Sequence, residues 1–189
     1  MNLKWYLIII SIISAITTAL ISYFYSESIL FVGLAMILGV IIAIIIDGLT
    51  AAVFRLLPIG FADFNKKFYI VSKKEYKIYN KLKIKAWKDK IPEIGHFTGF
   101  RKNKVDEPKN PEYIKRFLHE ICYGETGHLG CMLTGFLVIF IPWFKPYWIC
   151  IALVVGIVNA FLNMLPVFVL RYNSYSLLTI YKRLTRLNK

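Results

Sequence analysis

The chain has 189 residues, 57% of them hydrophobic, with a mean hydropathy of +0.55. Its 24 Lys and Arg stand against 11 Asp and Glu, a formal charge of +13. That balance excludes an ordinary soluble domain; it fits a membrane protein that meets anionic headgroups or phosphate-bearing ligands. Nucleic acid is not an expected partner, because the basic residues are interleaved with apolar stretches and no binding motif is visible. Cys122, Cys131 and Cys150 are odd in number and lack CxxC spacing, so they read as small apolar packing residues. No zinc motif, Gly-rich phosphate loop or GxSxG elbow is visible, and neither a metal nor a cofactor is expected.

In chain order, the first apolar stretch covers about residues 5–25, close to the 20 that a spanning helix needs. Its long apolar core and the lack of an AxA-like cleavage site read as a retained helix rather than a signal peptide. The second covers 29–57, interrupted by Asp47 and carrying Arg55 near its end. The third and fourth cover 129–144 and 147–170, linked as a hairpin by Phe144-Lys145-Pro146. Residues 59–128 hold 16 of the 24 basic residues and the tail 171–189 holds five, whereas the link near Ser26 has none. The positive-inside rule then places both termini and the 59–128 region in the cytoplasm of a cell-membrane, multi-pass protein. The expected fold is all-α: a single polytopic membrane domain over 1–189, with four transmembrane helices and a cytoplasmic, partly interfacial region between helices 2 and 3.

That region opens with Phe61, Phe64, Phe68 and Tyr69 among charges. A short amphipathic helix is predicted over 73–81. The alternation of Lys with apolar residues over 81–87 predicts an extended or interfacial segment. Asn110-Pro111-Glu112 is a helix start, with Asn as cap and Pro in the first turn. From there Tyr113, Phe117, Ile121, Glu125 and His128 share one face, and the helix is expected to run straight into the third span.

Candidate chemistry collects near the predicted membrane edge, in "GETGHLG". Glu125 and His128, at i and i+3, are neighbours on a helix surface, and a carboxylate beside an imidazole can orient it as a base. Glu120 could reach in from the flank. Gly124, Gly127 and Gly130 let a substrate or another helix approach the backbone. The bland alternative is a solvated helix end. Asp47 is a charge at membrane depth, which costs at least about 2.5 kcal/mol on insertion scales and marks a functional site by default. Its structural alternative is a pairing with Arg55 or Arg171. Asn159 and Asn163, at i and i+4, either glue helices together or line the same cavity as Asp47. Lys88, Lys90, Arg101, Lys102 and Lys104 could bind phosphates, although a run of lysines is more often a solvated, lipid-facing surface. For His119 a surface role is expected.

The order of the segments "IDGLTAAVFRLLP", "YNKLKIKAWKDKIPEIGHFTGFRK", "EICYGETGH" and "NMLPVFVLRYNSYSL" resembles the glycosyl-4,4'-diaponeurosporenoate acyltransferase family of small bacterial membrane proteins. The resemblance spans about residues 44–183. It implies transfer of a fatty acyl group to a hydroxyl of a glycosylated lipid, as in carotenoid biosynthesis. The implied partners are a lipid acceptor, an acyl donor such as acyl-CoA, and membrane lipids. Trp87, Lys88, Asp89 and Lys90 match the family's tryptophan–lysine stretch, and Gly99, Phe100, Arg101 and Lys102 its glycine–basic turn. Glu120, Glu125 and His128 fit its Glu-x4-Glu-x2-His pattern, and Arg171, Tyr172 and Asn173 its Arg-Tyr-Asn. Ser174 and Ser176 stand where basic residues often follow, and Leu129 where a Trp often follows the His.

The expected catalytic residues are His128 as base, Glu125 orienting it, and Glu120. The expected substrate-binding residues are Asp47, Trp87, Lys88, Arg101, Lys102, Asn163, Arg171 and Asn173. Two other classes fit the sequence. One is a different lipid-modifying transferase, such as a methyltransferase; the other is a non-catalytic lipid-binding or assembly protein.

Overall fold

A computed structural model describes residues 3–92, 104–141 and 145–187. Among these residues six α-helices follow in order: α1 (Leu3–Tyr25), α2 (Ile29–Leu56), α3 (Lys73–Lys81), α4 (Ile84–Trp87), α5 (Pro111–Thr134) and α6 (Trp148–Leu187). Short 3-10 helices cover Lys88–Lys90 and Gly135–Phe140. Among the described residues, α1, α2 and α6 are long and apolar enough to cross a membrane, so the chain is an all-helical membrane protein. The stretch expected as the third span begins as the last residues of α5 and continues as the six-residue 3-10 helix, with 142–144 outside the described residues. Six residues is long for a 3-10 run, whose hydrogen-bond geometry is poorer than that of an α-helix.

The chain divides into two compact units. The apolar unit comprises Asn2–Val53 and His128–Met164. Its core joins Ile21, Val32, Met36, Val138, Trp148 and Ile151. On α2 the buried residues Val32, Ala35, Met36, Gly39 and Ala43 recur every three or four positions, giving one narrow stripe of mostly small side chains. Small residues let another helix come close: a Cβ added at Gly39 would lie 3.3 Å from Ile151 and 3.5 Å from Val155. The outward faces are apolar too. Of α1 only Ile21 is buried, while Leu7, Ile12, Ile16 and Leu20 stay exposed, as lipid-facing side chains must. The α1–α2 link turns on Ser26 in the left-handed region (φ 53°), and Lys145 Nζ pairs with Glu27 2.8 Å away.

Pro166 interrupts the hydrogen-bond ladder of α6, because proline has no N–H to donate to the carbonyl of Leu162 four residues back. In lipid a bare carbonyl is costly. The Tyr6 hydroxyl of α1 donates to Leu162 O (3.3 Å) and fills that vacancy.

The basic unit comprises Phe54–Gly127 and Leu165–Lys189. The α5 residues Ile114, Phe117, Leu118, Ile121 and Cys122 pack with Phe64, Tyr69 and Leu177. A second cluster joins Val71, Tyr79, Ile84, Ile91, Val169 and Tyr172. The helix predicted at 73–81 is α3, and Ser72 Oγ caps it by accepting from Glu75 N (3.1 Å). Asn110 caps α5 by accepting from the backbone N–H groups of Glu112 and Tyr113. The 81–87 segment is not extended. Lys83 turns in the left-handed region (φ 52°), and α4 then puts Ile84 and Trp87, three apart, on one inward side. His119, expected at the surface, is half-buried: its Nδ1 meets Ala62 O at 2.9 Å, and its ring packs edge-on against Phe64.

Candidate functional site

Each unit carries a polar cluster among its described residues. In the apolar unit the centre is Asp47, the acidic residue of α2. Its two carboxylate oxygens are held separately: Asn159 Nδ2 donates to Oδ1 and Asn163 Nδ2 to Oδ2, both at 3.0 Å. The i, i+4 spacing on α6 places both amides on the face that receives Asp47. Asn159 Nδ2 also donates to Cys131 O (3.1 Å), and Asn163 Nδ2 to Asn159 Oδ1 (3.0 Å).

These bonds fix the protonation of the next member. The amide nitrogen of Asn163 faces Asp47, so its oxygen points the other way, 2.8 Å from His128 Nδ1. An amide oxygen only accepts, so Nδ1 carries the hydrogen and Nε2 of the neutral ring keeps its lone pair. The series Asp47–Asn163–His128 is thus a carboxylate acting on an imidazole through one intervening amide. Thr134 Oγ1, which donates to Gly130 O (3.1 Å), meets Thr50 Oγ1 at 2.9 Å and ties α2 to the end of α5.

Gly135 makes the arrangement possible. A Cβ there would fall 2.2 Å from Asn159 Nδ2, so any larger residue would expel the amide that holds Asp47 Oδ1.

In the basic unit the centre is Arg171. Its guanidinium forks onto Glu75, with Nε 2.5 Å from Oε1 and Nη2 3.0 Å from Oε2. Nη1 donates to Phe68 O (3.1 Å) and to Glu125 Oε1. Tyr79, one turn after Glu75 on α3, donates its hydroxyl to Glu75 Oε1 at 2.5 Å. Glu125 is 1% exposed, and its second oxygen, Oε2, has no hydrogen-bond partner. Two carboxylates therefore share one guanidinium. Burial works against the charge of Glu75, but its bonds to Arg171 and Tyr79 outweigh burial and hold its carboxyl below the usual range. For Glu125 burial wins over the pull of Arg171 and pushes the carboxyl up to about 7.

The other expected site residues have definite partners. Glu120 forms an ion pair with Arg55 (2.6 Å). Lys88 Nζ donates to Asn173 Oδ1 (3.1 Å) and lies 5.9 Å over the Tyr172 ring. Trp87 donates its indole N–H to Leu82 O (3.0 Å). Arg101 and Lys102 lie outside the described residues. The ring nitrogen of His128 is engaged by Asn163, and Glu125 is engaged by Arg171. Two participants escaped the sequence reading. Glu75 sits three after Ser72, a spacing that reads as a helix capping box and hides its ion pair. Gly135 looks like one more helix-weakening glycine.

The model of the glycosyl-4,4'-diaponeurosporenoate acyltransferase family matches residues 61–183. That range holds Glu75, Glu125, His128, Asn159, Asn163 and Arg171; Asp47 precedes it. No curated protein and no solved structure matches the chain.

Proposed function

The chain belongs to the glycosyl-4,4'-diaponeurosporenoate acyltransferase family, and from that premise we propose that it transfers a fatty acyl group to a hydroxyl of a glycosylated lipid, with His128 as general base. The acceptor is the glycosyl carotenoid of the family name or another glycolipid, and the donor is an activated acyl group such as acyl-CoA. The chain crosses the cell membrane four times, with both termini and the 59–128 region in the cytoplasm; the Lys and Arg distribution supports this orientation.

The observation that carries the reading is the 2.8 Å contact between His128 Nδ1 and Asn163 Oδ1, with Asn163 held by Asp47. It leaves Nε2 as the basic nitrogen. In the reaction Nε2 takes the proton of the acceptor hydroxyl as its oxygen bonds the donor's carbonyl carbon. The tetrahedral intermediate then expels the leaving group, which recovers the proton from the imidazolium. Asp47, acting through Asn163, favours the imidazolium and so lowers the barrier to the first proton transfer. Bases of this kind contribute about 10²–10⁴-fold.

His128→Ala and His128→Gln test the assignment. Membranes carrying each variant are given glycosyl-4,4'-diaponeurosporenoate and long-chain acyl-CoA, and the esterified product is followed by mass spectrometry. Both variants are expected to lose acyl transfer while remaining folded and membrane-inserted, because Gln can hydrogen-bond but cannot take the proton at neutral pH. Near-normal turnover by His128→Gln would overturn the general-base role.

A further inference from the structure

The apolar unit has a cleft that the polar network does not use. Its walls come from three helices: Ile10 and Ile13 of α1, Val40 and Ala43 of α2, and Val154 and Val158 of α6. On α6 it extends from Val154 to Leu162, eight steps along the helix, or about 12 Å at 1.5 Å per residue. That length approaches the roughly 15 Å depth of one leaflet's hydrocarbon. The free space is about 50 Å³, several times the minimum for one water.

Water is nevertheless the wrong occupant. A buried water needs two to four polar partners, and the lining offers only Ser14 and Asn159. The amide of Asn159 is already committed, donating to Asp47 and Cys131 O and accepting from Asn163. A slot between membrane-spanning helices whose lining offers one free hydroxyl, that of Ser14, and is otherwise apolar accepts hydrocarbon.

Its ends differ in kind. Met36 and Val154 lie toward the end remote from the polar residues. Ala43 is one turn before Asp47 on α2, and Asn159 is itself a ligand of Asp47. A chain in the cleft therefore has its tail among Met36, Val40 and Val154 and its head at the cluster that also holds His128. We infer that this cleft binds the acyl chain being transferred, aligned so that its carbonyl carbon emerges beside Asn159. The occupant is a long, unbranched acyl chain, and Val158 and Ala43 limit how much of it fits. The inference rests on the acyl-transfer reading for the identity of the chain, but not for the existence of the site.

The test uses full-length protein in detergent or nanodiscs and two readouts. First, palmitic acid bearing a mid-chain diazirine and a terminal alkyne is photo-crosslinked, and the labelled peptides are identified. Label is expected within residues 10–14, 36–43 and 154–162, with excess unlabelled palmitic acid competing and excess phosphatidylglycerol not competing. Second, transfer from long- and short-chain acyl-CoA is compared in wild type, Val158→Phe, which fills the cleft, and Val158→Ala, which enlarges it. Val158→Phe should lower long-chain labelling and transfer about tenfold, as loss of roughly two buried methylene contacts does, and leave short-chain transfer nearly unchanged. Val158→Ala keeps the long-chain signal and guards against a folding artefact in the larger variant.

Label spread evenly over the outward residues of α1 and α2, or equal competition by phospholipid, means an ordinary lipid tail on the helix surface and overturns the inference. Transfer with an unaltered chain-length profile in Val158→Phe also overturns it, while the acyl-transfer reading stands. Cleft-specific labelling sensitive to Val158→Phe without any transfer leaves the chain site standing and removes the acyl-transfer reading.

Discussion

Replacing Gly135 by Ala asks whether the room left by one missing side chain holds the Asp47 cluster together. The new Cβ would lie 2.2 Å from Asn159 Nδ2. The amide end of Asn159 must therefore swing away, giving up its bonds to Asp47 Oδ1 and Cys131 O. A hydrogen bond to a charged group contributes about 1.5–3 kcal/mol and a neutral one about 1 kcal/mol, so the loss is roughly 3 kcal/mol. Against this stands the better helical preference of Ala, up to about 1 kcal/mol. The net is a destabilisation of about 2 kcal/mol. Thermal or denaturant unfolding of purified protein reads that quantity, and a double-mutant cycle with Asn159→Ala isolates its cause. With the amide already gone, Gly135→Ala should cost nothing or stabilise by up to about 1 kcal/mol. The same destabilisation in both backgrounds would refute the reasoning, because the penalty would then come from the backbone and not from the displaced amide.

Glu125→Gln is expected to stabilise the protein at about pH 8 and to leave it unchanged at about pH 4. Burial raises the folded-state value from 4.5 to about 7, so the folded protein binds this proton more tightly than the unfolded chain. The corresponding stability is complete below about 4.5 and is lost as pH rises through about 7, some 3 kcal/mol in all. Unfolding midpoints across that range check it; a Gln variant that is less stable at high pH would mean the Arg171 attraction outweighs burial. The proposed topology is checked in a chain whose Cys122, Cys131 and Cys150 are replaced by Ala. A cysteine at Ser26 or Lys145 should react with an impermeant reagent added outside cells and one at Lys104 should not; labelling at Lys104 would sink the orientation.

What the sequence disclosed depended on how local the determining interaction was. The bounds of α3 follow from Ser72 and the start of α5 from Asn110-Pro111, since each cap is satisfied within three residues. A charge in an apolar helix demands a partner, so Asp47 was legible as a polar centre, and Asn159 and Asn163 as residues that could line the same cavity. Arg55 and Arg171, the basic partners expected for it, are occupied by Glu120 and by Glu75 with Glu125. That choice depends on where α3 packs, which no local pattern encodes. The partner of His128 was less legible. Spacing along α5 pointed to Glu125, three residues away, whereas the hydrogen bond to Asn163 joins residues 35 apart. The passage of α5 into a 3-10 helix was hidden as well, because a hydropathy window records apolar content and not which carbonyl each N–H reaches. The role of Gly135 is visible only once Asn159 stands opposite it.

The separation of Asp47 from its amides has a consequence for how the protein is made. Asn159 and Asn163 follow Asp47 by 112 and 116 positions. At about 5–20 residues per second, the ribosome delivers the first of them roughly 6–22 s after the aspartate. Helix α2 must therefore enter the bilayer bearing a charge whose partners do not yet exist, at a penalty of at least about 2.5 kcal/mol. The vacancy that Pro166 opens in α6 runs the opposite way in time: Tyr6, its remedy, is among the first residues made. The nascent chain thus passes through a period in which its earliest helices are inserted but incomplete. During that period an insertase that shields polar groups, or water drawn in around Asp47, must stand in for α6. The order of synthesis makes α6 the segment whose arrival closes the membrane unit, and a chain truncated before Asn159 leaves Asp47 without either of its two amides.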